Sequence, residues 1–301
     1  MKEIIEWLLK GDVSIQYLPH RELLCSDLSI QKQLQNRIQT EGFGERYLSM
    51  KRPNGHWGVF YYQQKWTSTH YTLLDLKNLG IPESCASCVE MVKRMFGECQ
   101  LDDGGLNLAK SKLPSDVCVD GMILNYSSYF CNGESFLDKL VHYLLSQQKP
   151  DGGFSWDNKS LVGDPHTTIC VLEGFEQYLR SKGRKSLMKI DQAKQRAREY
   201  LLGNDLFIFS SDKRYRKLTF PFRYRYDLLR ALFYFAKQND LKESRLIPAI
   251  NWLIEKRQND KLWVLENEHP GNVHFQMEEI GSPSRFITLM ALYILKTGNW
   301  I

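Results

Sequence analysis

The stretch SQQKPDGGFSW (146–156) ends one apolar helical pattern and introduces another. Pro150 cannot continue a helix, and Gly152 and Gly153 admit turn geometries closed to other residues. The same grammar returns along the chain: a turn, a glycine, an aromatic or apolar residue, a short polar loop, then an apolar helix. It occurs in KRPNGHWGVFYYQQKWTSTHYTLLDLKNLGI (51–81), in CQLDDGGLNLAKSKLPSDVCVDGMILNYSSYF (99–130) and in QQKPDGGFSWDNKSLVGDPHTTICVLEGFEQYL (147–179). A fourth copy, KRQNDKLWVLENEHPGNVHFQMEEIGSPSRFITLMALYILK (256–296), keeps Asn-Asp and Trp263 but has a longer loop. In SSDKRYRKLTFPFRYRYDLLRALFYFAK (210–237) a basic segment replaces the turn. Such a repeat constrains the fold strongly, because one helical hairpin cannot bury its apolar face alone, whereas stacked copies can.

Aligning the helix after each turn puts Leu76, Tyr126, Leu172, Leu232 and Leu292 at one position, at intervals of 50, 46, 60 and 60 residues. Six residues earlier stand His70, Asp120, His166, Tyr226 and Phe286. Between the turns lie segments such as DKLVHYLLSQQ and AINWLIEKR, whose apolar residues follow helical spacing. The pattern predicts an all-α protein of stacked helix pairs. About five hairpins fill residues 46–301, helices occupy 1–45, and no linker divides the 301 residues, so one domain is expected.

A net charge of +5 and 43% hydrophobic residues fit a chain with a large core and no concentrated basic face, so no nucleic-acid partner is expected. One segment, Asp212–Arg230, interleaves seven Lys/Arg with five aromatics. It is read either as a rim loop for an anionic ligand or as a solvated connection. The seven cysteines are scattered and odd in number, which points to reduced thiols. Cys85-Ala-Ser-Cys88 has no second pair at zinc-ribbon spacing and falls inside a helical pattern. No run approaches a membrane span, and MKEIIEWLLKGD reads as an amphipathic helix, not a signal peptide. The expected location is the cytoplasm.

These turns and helix starts resemble the prenyltransferase/squalene-cyclase repeat family. YLLSQQKPDGGFSW is similar to that family's Gln…Gly-aromatic turn, and GDPHTTICVLEGF looks like the segment where a Gly-rich turn precedes a Tyr-His-Thr helix start. KWTSTHYTLL, CVDGM, FPFRYRYDLLRAL and GSPSRF look like uncharacterised bacterial members of the superfamily. The resemblance spans about residues 40–296 and implies an α/α toroid, an inner and an outer ring of helices around a central cavity. Two departures limit what it implies for activity. The Asp-x-Asp-Asp acid of class II terpenoid cyclases is missing from the sequence. Of the zinc site of protein prenyltransferases, Asp120 and His166 match, but Met122 stands where the thiolate belongs. The diphosphate-binding Arg and Lys correspond to Pro114 and Val117. No metal and no cofactor is therefore assigned.

In that family the starts of the inner helices face the cavity mouth, which would bring His70, Asp120, His166 and Tyr226 together from four repeats. Two imidazoles and a carboxyl suit acid/base catalysis. Trp57, Trp66, Trp156, Glu173, Arg223, Asp227, Arg230 and Arg285 are the candidate substrate-binding residues around them. The functional expectation is an enzyme, of transferase or cyclase-like type, acting on a small, partly apolar and isoprenoid-like or phosphorylated substrate. The alternative is a non-catalytic toroid that binds a small molecule or a peptide.

Overall fold

Six helices surround the centre of the molecule, one more than the repeat predicts. In the computed structural model, which describes residues 1–111, 113–181 and 188–301, they are α2 (Val13–Glu22), α5 (Thr69–Leu79), α7 (Val117–Phe130), α9 (Pro165–Ser181), α11 (Leu228–Lys237) and α13 (Arg285–Thr297). Contacts run from α2 to α5, α5 to α7, α7 to α9, α11 to α13 and α13 back to α2. Side chains of α11 bridge to α9 and complete the ring. An outer layer packs against it: α1 (Lys2–Leu9), α4 (Gly42–Ser49), α6 (Ala86–Cys99), α8 (Phe136–Ser146), α10 (Met188–Gly203) and α12 (Ile247–Glu255). The described residues form no extended strand, only isolated bridges. The architecture is the all-α, α/α toroid that the repeat predicts. The sixth inner helix, α2, lacks the Gly-aromatic turn and so has no signature in the repeat register.

The recurring turn stitches one outer helix to the next. Gly104 and Gly152 have φ of +96° and +89°, a region that disfavours side chains. A Cβ there would also stand 2.5 Å from the Lys139 carbonyl oxygen and 2.6 Å from that of Arg196, on the following outer helices. Ahead of each turn, Gln100 Nε2 donates to the carbonyls of Gly104 and Phe136, both at 3.1 Å. Gln148 Nε2 does the same to Gly152 and Ala193, both at 2.8 Å. Asp103 and Asp151 accept from the N–H of Gly105 and Gly153, each at 3.0 Å.

A second recurring bond ties each turn to its inner helix. The N–H of Trp57, Leu106, Phe154 and Trp263 donates to Thr69 Oγ1, Asp120 Oδ1, Thr168 Oγ1 and Thr288 Oγ1 respectively, at 3.0–3.1 Å. Helix starts are capped in the ordinary way, by Asp116 on α7, Asp227 on α11 and Ser284 on α13. Each such cap is worth about 1 kcal/mol.

At the centre of the array α7 and α9 meet backbone to backbone, and all 14 residues of α7 are buried. A Cβ on Gly121 would lie 2.7 Å from the Val171 nitrogen, and one on Gly174 2.6 Å from the Gly121 carbonyl oxygen. Neither neighbour is a flexible side chain that can swing away. Replacing Gly121 with Ala therefore forces the helices apart. We expect Gly121→Ala to cost at least about 1–3 kcal/mol, read as a lowered denaturant midpoint with an unchanged m value; an unchanged midpoint would mean the helices are not this close.

Candidate functional site: a central cavity

The ring encloses a cavity of about 860 Å3 to which all six inner helices contribute. It runs along the C-terminal halves of four of them, from Tyr17 to Glu22 of α2, Leu74 and Lys77 of α5, Asn125 and Tyr129 of α7 and Glu173 to Arg180 of α9, and meets α13 in its N-terminal half at Phe286, Leu289 and Met290. Its floor is apolar and aromatic, built from Phe220, Phe222, Phe233, Phe286, Leu289 and Met290. Across the mouth lies α3 (Leu28–Arg37), none of whose side chains is fully buried; Leu28, Gln31, Lys32 and Gln35 face the cavity. Gln35 Nε2 donates to Tyr129 Oη at 3.3 Å and ties this helix to α7.

The wall carries seven Lys/Arg side chains against four carboxylates, so the cavity is positive overall. Arg230, itself buried, donates to both oxygens of Glu173 at 2.8 and 2.7 Å, to the carbonyls of Arg223 and Arg225 at 3.0 and 2.8 Å, and to Cys170 Sγ at 3.5 Å. Burial opposes its charge, but the paired Glu173 outweighs burial and pushes the guanidinium above its ordinary value. Arg223 is 3% exposed, its guanidinium 3.5 Å from Asp75 and over the Trp66 ring at 4.7 Å; its Nε has no partner. Burial raises the Asp75 carboxyl above the ordinary carboxylate range despite that cation.

Near the mouth, Glu22 pairs with both Arg21, at 2.7 Å, and Lys237. Burial pushes Lys237 down to about 8 against the attraction of Glu22. Lys77 is also lowered to about 8, by burial first, with Glu173 opposing and Arg21, Arg180 and Lys237 adding repulsion. Its exposure is partial and comes from the cavity surface itself.

Of the residues singled out by sequence, Glu173, Arg223 and Arg230 line this cavity. The four acid/base candidates stand outside its wall, because the starts of the inner helices are sealed by segments 51–68, 204–227 and 256–284. His70 is fully buried, with Nδ1 3.2 Å from Tyr126 Oη, and burial lowers it to about 3. Asp120 is fully buried too, accepts from the Leu106 N–H, and is raised well above the carboxylate range by burial. His166 Nδ1 accepts from the Tyr226 N–H at 2.8 Å, which fixes the neutral tautomer with its proton on Nε2. Tyr226 Oη donates to the Leu206 carbonyl at 2.7 Å. The structure thus joins His166 to Tyr226 through the backbone and leaves His70 and Asp120 in separate surroundings.

Most of the remaining candidates are engaged elsewhere in the framework. Trp57 Nε1 donates to the Tyr47 carbonyl at 2.6 Å and Trp66 Nε1 to that of Pro270 at 2.8 Å. Trp156 is 63% exposed on the surface. Asp227 accepts from the Arg230 N–H at 2.8 Å as the cap of α11, so these two residues are not the side-chain pair that their spacing suggests. Arg285 lies over the Trp7 ring at 4.4 Å.

No family model matches the sequence, and no curated protein matches it. Among solved structures, the apo form of the type II terpene cyclase MstE from Scytonema is similar at 12% identity and a TM-score of 0.33, over 85% of this chain and 96% of that one. A single-substitution variant of the same cyclase, with the product merosterolic acid A bound, is similar at 13% identity and 0.33, over 84% and 94%. At this level the likeness gives no residue of this chain a role.

Burial lowers His166 from its ordinary 6.5 to about 4. In an NMR pH titration its imidazole signals should therefore move with a midpoint near 4, and a midpoint near 6.5 would contradict the bond to Tyr226. Because the folded state holds the ring less basic than the unfolded state does, this group's stabilisation is present above 6.5 and is lost as pH falls through about 4. His166→Gln should flatten that part of the stability profile in thermal melts.

Proposed function

We propose that this chain is a toroid that takes up a small, partly apolar molecule in its central cavity, with the apolar part on the aromatic floor and the polar, electron-rich end toward the cationic wall. The observation that carries this reading is the cavity itself. Its volume of about 860 Å3 falls in the range of about 300–1,000 Å3 common to small-molecule sites. It joins an apolar floor to a few convergent polar groups, the usual make-up of such sites. The excess of cations over carboxylates favours a carboxylate, phosphate or carbonyl oxygen at the polar end. An isoprenoid chain with such an end group fits that description.

Binding is the better-supported reading than acid/base turnover by His70, Asp120, His166 and Tyr226, since none of those four side chains lines the cavity. Each of the four makes a hydrogen bond within the framework, although His70 Nε2 and Asp120 Oδ2 are left without a partner.

The test is saturable uptake of farnesol, followed by displacement of a fluorescent anilinonaphthalene sulfonate. One site per chain is expected. Phe233 is half-buried on the wall, and Phe233→Ala should weaken uptake on the order of tenfold, given about 1.5–3 kcal/mol for burial of a large apolar side chain, with little change in melting temperature. Absence of saturable uptake, or uptake indifferent to Phe233 and Phe222 substitution, would overturn the proposal.

A further inference from the structure

Of the seven cations of the wall, two have no carboxylate partner among the described residues, the exposed Lys32 and the half-buried Lys77. Arg21, Arg180, Arg223, Arg230 and Lys237 each pair with a carboxylate. Lys77 has no hydrogen-bond acceptor and no ion-pair partner among the described residues. The carboxylate with the largest electrostatic effect on it, Glu173, has both oxygens engaged by Arg230. Burial and three nearby cations bring the amine down to about 8, so its neutral fraction at pH 7 is on the order of a hundredfold above that of a surface lysine. An amine desolvated next to other cations is an activated nucleophile. Two further polar groups of the same wall are unsatisfied although their residues are each 4% exposed: Asn125 Oδ1 and Tyr234 Oη. Both residues line the cavity, and these two atoms have no protein partner.

We infer that Lys77 captures a carbonyl-bearing, partly apolar ligand, an aldehyde or ketone, as an imine inside the central cavity. This rests on the reading of the cavity as a ligand site. The neutral Nζ adds to the carbonyl carbon, and one amine proton passes to the oxygen to give a carbinolamine. The second amine proton leaves with that hydroxyl group as water, and the C=N bond remains. Protonation of the imine restores the positive charge that the field of Glu173 favours.

The protein is incubated at pH 7 with citronellal and sodium cyanoborohydride, and reduced adducts are mapped by peptide mass spectrometry. The expected result is one adduct per chain, at Lys77, with about tenfold or greater occupancy over any surface lysine; an adduct at Lys237 in its place would overturn the inference. Lys77→Arg keeps the charge but cannot form the imine, so it should lose the adduct; uptake of citronellol, which has no carbonyl, by the wild type reads the cavity separately. Adducts spread over surface lysines, while the wild type still takes up citronellol, would overturn the inference and leave the cavity reading intact. Failure of citronellal, citronellol and farnesol alike to enter would overturn the cavity reading and this inference with it.

Discussion

The ring of inner helices depends on Arg230. Between α9 and α11 the helices are joined through its side chain, which grips Glu173 with two donors and reaches the sulfur of Cys170. The remaining donors hold the carbonyls of Arg223 and Arg225, so the same group fixes the loop that closes the cavity floor. A planar guanidinium can serve a wall and a floor at once because its donors point in fixed directions. Loss of Glu173 would strand a buried cation, a change that costs about 3–5 kcal/mol in comparable settings. Wall geometry and floor geometry are therefore a single property of this protein.

The two ends of the ring have opposite chemistry for one physical reason. Helix starts expose N–H groups and helix ends expose carbonyls. Here three of the starts are capped by side chains, Asp116, Asp227 and Ser284. The ends open on the cavity, and their partial negative charge favours cations. Arg21, Lys77, Arg180 and Lys237 stand there, at or near the last turns of four inner helices. The lowered proton affinity of the two lysines comes from burial first, with the neighbouring cations adding repulsion.

The five helices α5, α7, α9, α11 and α13 were legible in the sequence, because each is apolar over several turns and the first three follow a glycine-bearing turn. Residues 70, 120, 166 and 286 fall within the first turns of their helices, and 226 just precedes α11. The cavity was not legible from that register. Helix starts catch the eye because capping residues are polar, yet polar caps are spent on the backbone. A different signal marks the cavity: polar side chains at three- and four-residue spacing on a helix otherwise enclosed. Glu173, Glu176, Gln177 and Arg180 on α9 follow it, and so do Arg230, Tyr234 and Lys237 on α11, with Phe233 on the same face. Glu173, Arg223 and Arg230 were found by sequence; Lys77 was missed, since one lysine near a helix end looks like an ordinary surface charge. No turn motif precedes α2, so its place in the ring followed from packing alone.

The Gln-Asp-Gly-Gly stitches have a consequence for how such a chain can change. They run from one outer helix to the next, so the circumference is set at the end of each outer helix and is indifferent to how many residues follow before the inner helix begins. The intervals of 50 and 46 residues contain the two stitched turns, and the intervals of 60 residues fall where that stitch is missing. Insertions accumulate at the sealed end, where they thicken the plug, and the calibre of the cavity stays constant. Length and bore are separate variables in this protein, and loops can be exchanged at one pole without retuning what the other pole admits.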